Sequence, residues 1–299
     1  MCHHEAMAFA RHGDVQIYYE TFGTPAHPPL LLVNGLGSQC INYRAEWCER
    51  FAAAGYFVIR YDNRDVGLSS KFSDVVPDVA RAVKESAEGR VVEAAYRLSD
   101  MAGDAIAVLD DLGVARAHVM GVSMGGMIVQ TMAIEHPGRL LTMTSVMSST
   151  GDPDVGQSSA EARRMIMTPP PRDRPGYVAR QLANHRIWGS PACYDEERIA
   201  ANAGEAFDRC SDPDGTARQM MAIIASGSRT SALRGVRLPT LVLHGDADTL
   251  VDPSGGRRTA EAVPGARFVL LEGMGHDYPP AYWDRLIDLV RAHTGSVAP

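Results

Sequence analysis

The sequence predicts an α/β fold: a mainly parallel sheet covered by helices on both faces, with a helical insertion in the second half of the chain. Three observations carry this prediction. Short continuous apolar runs alternate with stretches at helical spacing. The stretch Gly121-Val122-Ser123-Met124-Gly125, which reads G-x-S-x-G, stands between a strand-like run, Ala117–Met120, and an apolar helical run, Met127–Ala133. Between residues 150 and 233 the alternation lapses into short helical pieces, and then it resumes.

Taken in order, Val15–Tyr19 alternates and is aromatic, as an antiparallel strand near a sheet edge would. Leu30–Val33 is continuously apolar, the mark of a buried central strand. It ends in a loop, Asn34-Gly35-Leu36-Gly37-Ser38. Tyr43 to Ala54 has helical spacing, with Trp47 and Phe51 on one face. Tyr56–Tyr61 is the next buried strand, and the polar loop Asp62–Ser69 follows it. Residues 70–97 are weakly patterned. Ser99 is expected to cap a helix that runs through Leu112, with Met101, Ala105, Val108 and Leu109 inward and Gly113 as its stop.

After the central motif, Leu140–Met147 reads as a further buried strand. The segment Thr168–Gly176, rich in proline, is expected to break any helix. Thr240–Gly245 and Ala266–Leu271 are strands, and Gly256–Val263 and Pro280–His293 are helices. The expected organisation is one core, residues 1–149 and 234–299, carrying a helical cap over residues 150–233.

Composition narrows the function. The 299 residues are 45% hydrophobic and carry a formal net charge of -7, with no basic block, so nucleic acid is not an expected partner. No apolar run approaches the roughly 18 residues of a membrane span. The first residues, Met1–Met7, lack the basic and apolar regions of a secretory leader. Cys2, Cys40, Cys48, Cys193 and Cys210 are odd in number and scattered, which fits reduced thiols in a cytoplasmic protein. Cys40 and Cys48 are expected to be packing residues. The histidines show no metal-ligand spacing, so no metal is expected. Oligomeric state is left open.

The chemistry is expected around Ser123. A strand, a sharp turn and a helix hold such a serine above the sheet edge, and flanking glycines leave room for the tight turn. A serine hydroxyl needs a base, and the base needs an orienting acid. In this strand-turn-helix pattern the order along the chain is serine, acid, histidine. Two later strands end suitably, in Gly245-Asp246-Ala247-Asp248 and in Glu272-Gly273-Met274-Gly275-His276-Asp277. His276 is the expected base. Asp246, Asp248 and Asp252 all lie in the right loop, and Asp248 is favoured because it sits far enough past the strand to reach an imidazole. Asp246 is expected to bond the backbone of its own loop. Oxyanion donors are expected from the amides of Met124 and Leu36. Asp62–Ser69 is expected to brace the Leu36 loop, with Arg64 paired to a carboxylate.

These motifs, together with Tyr61-Asp62-Asn63-Arg64-Asp65-Val66-Gly67-Leu68-Ser69, resemble the α/β-hydrolase superfamily over the whole chain. Within it they resemble the serine carboxylesterase and lipase-like group similar to aclacinomycin methylesterase. The resemblance implies an α/β-hydrolase fold with a cap inserted after the sixth strand. It also implies cofactor-free hydrolysis of carboxylic esters by Ser123, Asp248 and His276 with the two amides. Many members carry histidine before the oxyanion glycine; this chain has Asn34, which keeps the amides and bears on how the loop is held.

The expected function is therefore a serine esterase for small to medium, largely apolar esters. A lactonase or carbon–carbon bond hydrolase with the same triad is the enzymatic alternative, and a ligand-binding receptor on the same fold is the non-enzymatic one. The serine argues against dehalogenases and epoxide hydrolases, which use an aspartate there. Residues 150–233 contain Met165, Ile166, Met167, Trp188, Met220, Met221, Ile223 and Ile224. Several of these are expected to face Ser123. The expected substrate-binding residues are Gly35, Met127, Met147, Trp188, Met220 and Met221, a flexible and polarizable wall.

Overall fold

One face of each central strand meets one helical layer, and the other face meets a second. In the computed structural model, which describes residues 8–295, Leu31 and Val33 join one core cluster and Leu30 and Leu32 the other. That is the period-two alternation of a strand buried on both sides. The expectations about Met1–Met7, including Cys2, lie outside the described residues.

The strands are β1 (Ala8–His12), β2 (Val15–Phe22), β3 (Pro29–Val33), β4 (Phe57–Tyr61), β5 (Ala117–Val122), β6 (Leu140–Val146), β7 (Thr240–Gly245) and β8 (Arg267–Leu271). They form one sheet in the order β1-β2-β4-β3-β5-β6-β7-β8. β1 and β2 are antiparallel to their neighbours, and all the later pairings are parallel. The helices are α1 (Ala45–Ala53), α2 (Val79–Ala87), α3 (Leu98–Asp111), α4 (Met124–Glu135), α5 (Ala160–Met167), α6 (Arg174–Trp188), α7 (Glu196–Arg209), α8 (Pro213–Ser226), α9 (Thr230–Leu233), α10 (Ser254–Ala262) and α11 (Pro280–Thr294). Trp47 and Phe51 of α1 and Trp283, Leu286 and Val290 of α11 fill one core. Met101, Val108 and Leu109 of α3 and Ile128, Val129 and Met132 of α4 fill the other. Each such side chain, fully buried, contributes about 1.5–3 kcal/mol of transfer free energy.

β4 and β5 lie on opposite sides of β3, so the chain reverses its direction of winding there. In open α/β sheets the crevice at such a point, beyond the carboxyl ends of the strands, is where ligands bind. The loops after β3 and β5 flank it.

Several elements differ from expectation. β1 is additional, paired to β2 through a turn with Gly13 at φ 60°. α2 lies in the weakly patterned stretch, where the Asp78 carboxylate caps it by accepting from the Arg81 amide. Ser99 does not cap α3. The helix begins at Leu98 with Asp100 accepting from the Arg97 amide, and the Ser99 hydroxyl donates to Glu135 instead. The helix break also ends earlier than expected, because Pro175 and Gly176 lie in the first turn of α6. Proline is tolerated there, where its missing N–H would have no intrahelical partner.

α5 to α9 follow β6 and precede β7 with no strand between them. Two ion pairs on the buried carboxylates Asp62 and Asp65 bind this helical segment to the loop after β4. Arg209 meets Asp62 at 2.8 Å and Arg218 meets Asp65 at 2.9 Å.

Candidate active site

Ser123 stands between β5 and α4 with φ 56° and ψ −118°. A non-glycine residue in this region is strained and must be held by its surroundings. Its N–H donates to the Val146 carbonyl at 2.9 Å, and its carbonyl accepts from the Ser148 hydroxyl at 2.7 Å. A Cβ on Gly121 would lie 2.0 Å from the Gly125 carbonyl oxygen, and one on Gly125 would lie 2.0 Å from that of Val33. Both glycines are therefore steric necessities.

His276 follows β8. Its Nε2 is 3.0 Å from Ser123 Oγ and its Nδ1 is 2.7 Å from Asp248 Oδ2. An ionised carboxylate can only accept, so Nδ1 carries the proton and Nε2 accepts from the serine. Asp248 follows β7. Its other oxygen accepts the amides of Leu250 and Val251, both at 2.9 Å. Burial pushes the Asp248 carboxyl up, but the charge of His276 and hydrogen bonds from His244 and His276 outweigh this and hold it at about 2. It is a carboxylate at any working pH. His244, fully buried on β7, lies 3.4 Å from the same carboxylate and donates Nε2–H to the Val251 carbonyl at 2.8 Å.

The other acids of that loop are engaged elsewhere. Asp246 accepts from the Gly273 amide at 2.7 Å, so it ties its loop to the neighbouring one rather than to itself as expected. Asp252 accepts from the Ser254 amide. Burial pushes the Cys48 thiol up to about 12 and that of Cys40 higher still, so neither is a nucleophile.

The loop after β3 passes close to Ser123: a Cβ on Gly35 would lie 3.2 Å from that of the serine. Asn34 donates through Nδ2 to the Gln39 carbonyl, and Asn63 donates to the Asn34 carbonyl at 3.1 Å. Gly37 N–H donates to Gln219 of α8 at 2.8 Å. Asn34 thus staples its own loop. Arg64 holds Asp104 through two hydrogen bonds of 2.6 Å. Among the described residues the amides of Leu36 and Met124 have no partner within the protein, and the Met124 amide is the first of a helix, where an unpaired N–H is normal.

Above Ser123 opens a cavity of about 1120 Å³ between the sheet edge and α5–α8. Gly35, Leu36, Trp188 and Met220 line it, with Ser123 and His276. Met127, Met147 and Met221 do not, contrary to expectation. Met127 packs on the core cluster of α3 and α4, and Met147, with φ 42°, is fully buried under α1 and α11. Met221 is one residue, or about 100° of helix, beyond Met220. It faces α2, where its sulfur accepts the Asp78 amide. Ile166 and Met167 are at the wall, whereas Ile223 and Ile224 pack inward.

Apart from Trp188, the inner face of α6 was not anticipated. Tyr177, Arg180, Gln181, Asn184, His185 and Trp188 recur at three- and four-residue spacing and all line the cavity. The helix has no buried residue. No local signal could have shown this, since polar residues on a helix face read as a solvated surface.

The fold, and the serine, histidine and aspartate meeting at the carboxyl edge of its sheet, are those of an α/β-hydrolase. The family model described as serine aminopeptidase, S33 matches residues 24–279, and the chain belongs to this family. Rhodomycin D methylesterase DauP of Streptomyces sp. (strain C5) and DnrP of Streptomyces peucetius are each 31% identical over 94% of this chain and 95% of their own length. Among solved structures, a hydrolase from Pseudomonas aeruginosa shares the fold with TM-score 0.73 at 23% identity, over 98% of this chain and 99% of that one. The chain is a hydrolase, and the likeness supports the ester class. Among the described residues no helix is long and apolar enough to cross a membrane, and no cluster of side chains would hold a metal ion.

Proposed function

We propose that the chain cleaves carboxylic esters, in particular methyl esters of bulky and largely apolar acids, through an acyl-enzyme on Ser123. The observation that carries this reading is the Ser123–His276–Asp248 chain, at 3.0 and 2.7 Å, opening into one large cavity. Ser123 Oγ attacks the ester carbonyl carbon while His276 Nε2 takes its proton. The amides of Leu36 and Met124 receive the negative charge on the carbonyl oxygen. The intermediate collapses, and the leaving alkoxide takes the proton back from His276. A water molecule then gives a proton to His276 and attacks the acyl carbon, and the acid leaves as Ser123 is reprotonated. No cofactor enters this sequence.

The relatives named as methylesterases support methanol as the leaving group. The cavity volume supports a bulky acid, since a small ester would leave most of about 1120 Å³ unfilled. In this reading residues 150–233 act as a cap: Trp188 and Met220 take the apolar body of the acid, and Gln181 and Asn184 take oxygen atoms on its periphery. The unpaired Cys40, Cys48, Cys193 and Cys210 support a reducing, cytoplasmic location.

The test is a panel of methyl esters graded from acetate to polycyclic acids, assayed alongside an enol-lactone and a vinylogous diketone. The proposal expects kcat/KM to rise with acid size, initially several-fold per added methylene at about 0.8 kcal/mol each. Turnover of the lactone or the diketone but of no ester would overturn it in favour of the corresponding alternative. A protein that turns over nothing in the panel would point to a receptor.

A further inference from the structure

The C-terminal end of α6 grips the loop that carries His276. Helix ends leave their last carbonyls without intrahelical partners. Here the Ile187 carbonyl accepts the Thr249 hydroxyl at 2.7 Å, and the Trp188 carbonyl accepts the His276 amide at 2.5 Å. Thr249 is the residue after Asp248. The two orphan carbonyls thus reach one residue past the acid and the base itself.

The next residues complete the grip. The buried Ser190 hydroxyl donates to Asp277 Oδ1 at 2.5 Å and accepts the Gly275 amide at 2.9 Å. The Ser190 amide donates to the same Asp277 oxygen at 2.9 Å. Gly275, His276 and Asp277 are therefore each bonded to the stretch 188–190. The backbones are in contact as well, since a Cβ on Gly275 would lie 2.3 Å from the Gly189 carbonyl carbon. Gly189 is equally constrained, with a Cβ there 2.6 Å from the His185 carbonyl oxygen and 2.9 Å from Asp277 Oδ2.

We propose that Ser190 and Asp277 are positioning residues for His276, so that a segment outside the sheet core sets the geometry of the base. The proposal rests on the reading of Ser123, His276 and Asp248 given above. Neither residue touches the reacting atoms. They act by fixing the backbone on both sides of the imidazole, and a displacement of about 1 Å in such a group costs up to about a hundredfold in rate. Because the same helix presents Gln181, Asn184 and Trp188 to the cavity, the element that meets the acyl group is also the one that holds the base.

The experiment uses the full chain and p-nitrophenyl butyrate, with thermal melting in parallel. Ser190→Ala and Asp277→Ala should each lower kcat at least about tenfold while KM moves less than about twofold. The double variant should be no worse than either single, because both remove one grip. Asp277→Asn should keep most of the activity, since its amide oxygen accepts the same two hydrogen bonds. Should an alanine variant fail to fold, Ser190→Cys keeps the volume with a weak donor and acceptor, and a several-fold loss of kcat is expected. Folded variants that melt earlier yet keep kcat within about twofold would overturn the proposal, as would an Asp277→Asn as damaged as Asp277→Ala. Ser123→Ala separates the two readings. If it stays active, the catalytic assignment fails; if it is inactive while the Ser190 and Asp277 variants keep kcat, the grip alone fails.

Discussion

Asp248 has a competitor two residues before it, and the environment of each decides their roles. Asp246 holds a neighbouring amide and stands at the surface, whereas Asp248 is buried, takes two amides and faces His276. Asp248→Asn should therefore lower kcat on the order of 10⁴-fold, the size seen when a triad acid can no longer enforce the tautomer. Asp246→Asn should stay within a few-fold, and steady-state kinetics on one ester separates the two. With Asp248 held at about 2, a fall in kcat/KM that sets in above about pH 4 does not report this carboxyl. His118 makes a stability prediction. Burial pushes it down to about 4, and its Nδ1 meets the Thr142 hydroxyl at 2.9 Å. Between the unfolded value near 6.5 and this lower one, the unfolded chain binds a proton that the folded chain refuses. Stability is thus full above about pH 6.5 and falls as pH drops towards 4. His118→Gln should remove about one proton from that dependence in denaturant titrations, and an unchanged slope would contradict the assignment.

At the scale of elements, the turn at Ser123 is sterically determined. Gly125→Ala places a methyl 2.0 Å from the Val33 carbonyl oxygen, which belongs to a central strand and cannot move aside. Gly138, exposed in a short 3-10 turn, has no neighbour within 4 Å of the same methyl. Thermal melting should show Gly125→Ala destabilised by more than about 2 kcal/mol and Gly138→Ala within about 0.5 kcal/mol of the parent. This turn was legible in the sequence because two glycines and a serine between a strand and a helix leave few alternatives. The central strands were legible for a similar reason: Leu30–Val33 and Thr240–Gly245 have no polar face to offer water. What was not legible depended on partners distant in sequence. β1 is short and ends in Arg11 and His12, and it is a strand because β2 pairs with it. α2 buries only Ala82 of its nine residues, too little for an apolar stripe. Ser99 has the right side chain for a cap, but Asp100 reaches the Arg97 amide first.

For the whole molecule, the cavity exists because a helical segment is pinned above a sheet edge. Ser123, Asp248 and His276 could be read from motifs and chain order, whereas only part of the wall could: Gly35, Trp188 and Met220 line the cavity, and Met127, Met147 and Met221 do not. Adjacent Met220 and Met221 diverge into cavity and core, and only the docking of α8 on α2 decides which goes where. That docking includes Asp65, fully buried and paired with Arg218, Tyr96 and the Phe72 amide. Arg218→Met would leave this carboxylate without its cation and should cost about 3–5 kcal/mol in denaturant unfolding. A loss below about 1 kcal/mol would show that the pair does not hold the segment down. The central claim is that the large cavity serves a single nucleophile. Its most direct measurement is methyl ester turnover by Ser123→Ala against the parent, with both proteins shown to be folded and free of contaminating esterase. Turnover should fall on the order of 10⁶-fold, as when a triad nucleophile is removed. Retention of more than a few per cent of the parent rate would contradict it.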